Sequence, residues 1–183
     1  MKKLLLASAA LMLAVPMAQA QPANPAPTIA PAPTAEEFKL PRPPRAKGIS
    51  TALAIEAAQA ANASCQASTY KTTTLIADSA GVPIVVVSND GAAAITQRIA
   101  MTKAQAVLKY GTSSGEVVAK VGKDTALAAE IKANPLIETA RPGAYPIRSG
   151  SELVAIISVS GAPGGDKDEV CAQAGIAKIQ GRF

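Results

Sequence analysis

Eight of the 14 prolines fall in the 27 residues from Gln21 to Lys47, separated mostly by Ala, Thr and Asn. A stretch of this kind buries too little apolar surface to offset its ordering entropy, so it is expected to be a disordered or polyproline-like linker. Large apolar side chains are few in it, and Phe38 and Leu40, as apolar hooks, leave open a second reading as a docking arm. One compact unit is thereby confined to residues 48–183, within the usual size of a single domain.

What precedes the linker reads as a targeting segment. Met1-Lys2-Lys3 is a short basic start, Leu4 to Val15 is an apolar run, and Ala18-Gln19-Ala20 is a small-x-small site. Together they predict a cleaved secretory signal over residues 1–20, of bacterial type. The apolar run falls short of the ~20 residues a spanning helix needs, so no membrane span is expected in the mature form. The expected location is periplasmic or secreted, where thiols tend to pair.

The composition removes several chemistries. The chain has no His, which excludes Ser-His-Asp and Cys-His catalysis and His-ligated metals, and two Cys cannot make an all-thiolate zinc site. No metal ligand set and no catalytic residue is assigned. Aromatics are 3% of residues, so the core must be built from Ala, Val, Ile and Leu. The net charge of +5 lies mainly ahead of the domain: from Gly48 onward there are 12 Lys/Arg against 11 Asp/Glu. Nucleic acid is therefore not an expected partner.

From Gly48 the pattern alternates between helix and strand signals. Ser50 offers an N-cap, and Leu53, Ala57, Ala60, Ala61 and Ser64 recur at helical spacing. Thr72–Ala77 and Ile84–Val87 are β-branched runs joined by the turn-rich Asp78–Pro83. A helix is predicted over Ala93–Tyr110, closed by Gly111, and two shorter ones over Ser113–Lys120 and Asp124–Ala133, with Asn134-Pro135 as the stop. Three more strands are expected at Leu136–Thr139, Tyr145–Arg148 and Glu152–Ser160, then a helix over Asp166–Ile179. The order gives an α+β layout with an antiparallel sheet.

Gly161–Gly165 ahead of that last helix suggests an anion cradle, but Asp166, Asp168 and Glu169 already place negative charge in its first turn. Ser113, Ser114, Ser158 and Ser160 lack a G-x-S-x-G elbow, which argues against a hydrolase.

Read together, Ala77–Pro83, Asn89-Asp90-Gly91-Ala92, Lys103–Ala106, Gly143–Ile147, Ile157–Gly161 and Asp168-Glu169 resemble the haem-binding or haem-degrading domain family typified by HbpS and GlcG, across roughly Ile49 to Ile179. The resemblance implies a profilin-like α+β fold: a five-stranded antiparallel sheet with the N- and C-terminal helices on one face, assembled into homo-oligomers. It implies haem or another small carboxylate-bearing ligand. Two alternatives stay open: a structural or assembly module with a vestigial pocket, and an accessory protein of glycolate-type hydroxy-acid utilisation. Tyr145, Arg141, Arg148, Lys103 and Asp168 lie in or beside the matching motifs and are the candidate ligand-binding residues, Arg being suited to bidentate carboxylate contacts. For iron, the remaining side chains are Tyr70, Tyr110, Tyr145, Met101, Met17 if retained, Lys or a free Cys, with Tyr145 the first candidate. The side-by-side terminal helices implied by the family would bring Cys65 and Cys171 together as a disulfide; two buried free thiols are the alternative. Gly143-Ala144-Tyr145-Pro146 stands where the family has Gly-Gly-x-Pro, which puts the neighbouring pocket in question.

Overall fold

The computed structural model describes residues 45–183. The expected signal segment and residues 21–44 of the expected linker lie outside the described residues.

Local chemistry sets the element ends. Helix α1 (Thr51–Ala67) starts where the Ser50 hydroxyl accepts from the Leu53 N–H at 3.3 Å. Strands β1 (Thr73–Ala77) and β2 (Pro83–Ser88) form a hairpin, and α2 (Ile95–Tyr110) follows. Helix α3 (Ser114–Val121) opens with a capping box between Ser113 and Glu116. In α4 (Thr125–Ala133) the Asp124 carboxylate accepts from the N–H groups of Ala126 and Leu127. Strands β3 (Ala144–Ser149) and β4 (Glu152–Ser160) and helix α5 (Gly165–Ile179) complete the chain.

The four strands lie in the order β2-β1-β4-β3, every neighbour antiparallel. Consecutive residues of a strand face opposite sides, so each central strand serves two cores. Ile76 and Ile157 pack with Ala57, Ala61, Cys65 and Ala172 from α1 and α5. Leu75 and Ile156 pack with Ala100, Ala104 and Val107 from α2 on the other face. Near-complete burial explains why Leu153–Val159 is apolar on both faces.

The contact between α1 and α5 is built from small residues. A Cβ on Gly175 would lie 2.7 Å from the Ala57 carbonyl oxygen and 2.6 Å from Ile157 Cδ1, so only glycine lets these helices meet over the sheet. A disulfide joins Cys65 to Cys171, with Cα atoms 5.5 Å apart, and ties the end of α1 to the second turn of α5.

The expected fifth strand is absent among the described residues: Leu136–Thr139 is a turn. The Asn134 carbonyl accepts from the N–H groups of Ile137 and Glu138, and its side-chain oxygen accepts from Leu136. Glu138 adopts φ 61°, which no strand residue does. Asn134 thus claims the donors that a ladder would need, a competition between local side-chain bonding and sheet pairing. The antiparallel sheet has four strands where five were expected.

At the other end, Arg45 Nε donates to Asp78 Oδ2 at 3.2 Å and its guanidinium also donates to the Pro83 carbonyl. The Lys47 carbonyl accepts from Ser79 N–H. These residues fell within the expected linker, yet they dock on the β1–β2 turn. Among the described residues, no helix is long and apolar enough to cross a membrane.

Candidate functional site

Where β4 leaves the sheet, the middle of α2, the segment before β3 and the first turn of α5 surround a cavity of about 270 Å³. Its polar wall is made by three residues distant in sequence. Lys103 lies one turn after Ala100 and directly before Ala104, whose side chains hold α2 against the sheet, and its ammonium reaches the sheet end. There Lys103 Nζ donates to Asp168 Oδ2 at 2.6 Å and to the Val159 carbonyl at 2.8 Å. The second carboxylate oxygen, Asp168 Oδ1, accepts from Ala162 N–H at 3.0 Å, so the first turn of α5 anchors the loop out of β4. Both side chains are almost fully enclosed, 3% and 4% exposed.

Burial pushes the Lys103 ammonium below its ordinary value and the Asp168 carboxyl above its own, each opposed by the charge of the other. Two of the three Lys103 donors are committed to protein groups. Arg141 stands beside the pair on the cavity wall, and its positive charge further disfavours the Lys103 ammonium. It has no hydrogen-bond or ion-pair partner among the described residues. The cavity therefore offers one uncommitted guanidinium over a neutralised pair, with Ile99 and Pro142 as apolar walls.

Of the five expected binding residues, Lys103, Arg141 and Asp168 converge here. Tyr145 does not: it belongs to the core formed with α1 and α5, and its hydroxyl accepts from Gln173 Nε2 at 2.9 Å. Burial raises its phenol pKa. Arg148 lies elsewhere too, donating to the Ser151 carbonyl at 2.8 Å and the Gly111 carbonyl at 2.9 Å, where it braces the β3–β4 turn against the end of α2. Ile99 and Pro142 were not anticipated, because an apolar residue in a helical pattern reads as core.

The pair depends on the residue beneath it. Gly143 has φ 126°, and a Cβ there would lie 2.6 Å from Lys103 Nζ, 2.7 Å from the Val159 carbonyl oxygen and 2.8 Å from Asp168 Cβ. Gly143→Ala is expected to lower stability by at least ~2 kcal/mol, from overpacking and backbone strain together. Urea unfolding measures this, and a loss under about 0.5 kcal/mol, the range of neutral surface changes, would show that the contact relaxes freely.

As to haem, the donor set fits the acid groups of the porphyrin and not its metal: no Tyr, Met or Cys side chain lines the cavity, and the chain has no His. An antiparallel α+β sheet domain with a partly enclosed cavity at the sheet end, walled by a buried Lys–Asp pair and an Arg, is the class of protein these features define. Residues 49–177 match the family described as haem degrading protein HbpS-like, and the chain belongs to that family. The structure of HbpS is similar at 26% identity and TM-score 0.64, over 76% of this chain and 94% of that one. A double mutant of Streptomyces reticuli HbpS matches at 25% identity and TM-score 0.64, over 84% and 97%. PduOC, solved as a haem complex, shares the fold at 21% identity and TM-score 0.67, over 73% and 96%. No curated protein matches the chain with significance.

Proposed function

We propose that this protein binds haem or a related small carboxylate-bearing ligand, with the acid group on Arg141 beside the Lys103–Asp168 pair. The observation that carries this reading is the pairing state of the cavity: Lys103 is neutralised by Asp168, while Arg141 has no partner among the described residues. A guanidinium in a half-enclosed wall binds a carboxylate through two parallel N–H···O bonds, and the surrounding low dielectric strengthens them. Membership of the haem-degrading family supports a haem-related ligand over other acids. The same reading includes export, with residues 1–20 removed, the Pro-rich stretch ahead of Arg45 serving mainly as a spacer, and assembly of the domain into homo-oligomers.

Hemin titration of the purified protein, followed through the Soret band, tests this. Saturable binding is expected, and Arg141→Ala should weaken it about tenfold or more, the usual worth of a charge-assisted hydrogen bond. Unchanged affinity in that variant would remove Arg141 from the site.

A further inference from the structure

We infer that this protein recognises a porphyrin-class ligand by its carboxylate edge and leaves the central metal without a protein ligand. This rests on the reading of Arg141 as an acid-binding residue, and extends it to the metal.

The side chains that commonly hold haem iron are His, Cys, Met and Tyr, and the one Lys on the cavity wall, Lys103, already gives its ammonium to Asp168 and the Val159 carbonyl. The chain has no His, and its only two cysteines are joined to each other. Of the three tyrosines, Tyr145 packs with the α1–α5 core, is not among the residues lining the cavity, and accepts from Gln173. Tyr110 donates to Glu130 Oε1 at 3.1 Å. Tyr70 lines a separate, smaller cavity beside the disulfide, where the Lys167 ammonium lies 6.0 Å from its ring centroid. Met101 packs into the core between α2 and the sheet. The other three methionines, Met1, Met12 and Met17, belong to the segment read as a removable signal. A second copy of the chain would bring the same inventory, so assembly supplies no His either.

The volume agrees. At about 270 Å³ the Arg141 cavity is below the roughly 300–1,000 Å³ of pockets that bury a drug-sized ligand. It accommodates an acid-bearing edge and leaves the macrocycle centre outside. Of the two hydroxyl-bearing residues on the cavity wall, Thr96 and Ser160, Thr96 Oγ1 is already bonded to the Ala93 carbonyl at 2.6 Å and to Thr73 Oγ1 at 2.7 Å.

The experiment compares hemin, metal-free protoporphyrin IX and the protoporphyrin dimethyl ester on the purified protein. The two free acids are expected to bind with dissociation constants within about threefold of each other, and the diester at least about tenfold more weakly. Arg141→Gln should weaken both acids equally. Hemin binding more than about tenfold tighter than the metal-free acid, or a hemin spectrum that changes in Tyr70→Phe, would overturn the inference and leave the acid-binding reading standing. Binding of the diester as tightly as the acids, or of none of the three, would overturn both.

Discussion

Replacing Lys103 by methionine is expected to cost about 3–5 kcal/mol of folding stability, the loss that follows when one partner of a buried ion pair is removed. The size comes from what stays behind. Asp168, 4% exposed, would keep only the Ala162 N–H as a donor and would be left as an uncompensated charge behind the cavity wall. A surface pair such as Lys47–Glu152, exposed at both ends, should by comparison change stability little when broken. The double variant Lys103→Met/Asp168→Asn removes the stranded charge but keeps an oxygen for Ala162, and most of the lost stability should return. Urea unfolding of the single and double variants measures both effects. A single-variant loss under about 1 kcal/mol would mean that the pair is hydrated and worth no more than a surface contact.

The second large effect lies in the disulfide. Cys65 and Cys171 are 106 residues apart, so the bond closes most of the domain into a loop. Chain entropy alone assigns such a loop ~4–5 kcal/mol, and losses measured on removing native disulfides from small secreted domains run at about 2–5 kcal/mol. Cys65→Ala/Cys171→Ala should therefore lower the unfolding midpoint sharply in oxidising buffer, while the wild type should fall to the same level once reduced. The paired comparison separates the cross-link from packing, because alanine suits the small-residue contact around Ala61 and Ala172. If the double variant matched the oxidised wild type within about 1 kcal/mol, the unfolded chain would already be held compact without the bond.

Much of this architecture is written in local patterns. Hydroxyl and carboxylate caps at Ser50, Ser113 and Asp124 mark three helix starts, and the β-branched runs mark β1, β2 and β4. Leu136–Thr139 misled because Leu and Ile at that spacing suit a strand, while the deciding factor was how many donors Asn134 captures. The site was visible only in part. Lys103, Arg141 and Asp168 stood in or beside family-like motifs, but nothing local says that Lys103 meets a carboxylate 65 positions later. Tyr145 shows the limit most plainly. It adjoins Ala144, which faces α2, and strand alternation then turns Tyr145 towards α5. Which side holds the cavity is fixed by packing that no single strand records. The disulfide had the same character: two cysteines define one pairing, but only the neighbouring placement of α1 and α5 makes it reachable.

The strand order has a consequence for how the chain reaches this state. Strand β1 forms near the beginning of the domain, yet one of its two neighbours, β4, begins only at Glu152. Until that strand exists, β1 has β2 alone beside it, and a lone two-stranded hairpin is marginal in water. The two faces close equally late, since Leu75 and Ile76 need Ile156 and Ile157 beside them before α2 or α1 has a full surface to cover. A growing polypeptide of this sequence therefore stores no stable half-structure. Its commitment to fold waits for the last thirty or so residues, a late closure of the kind that long-range strand pairing imposes on folding rates.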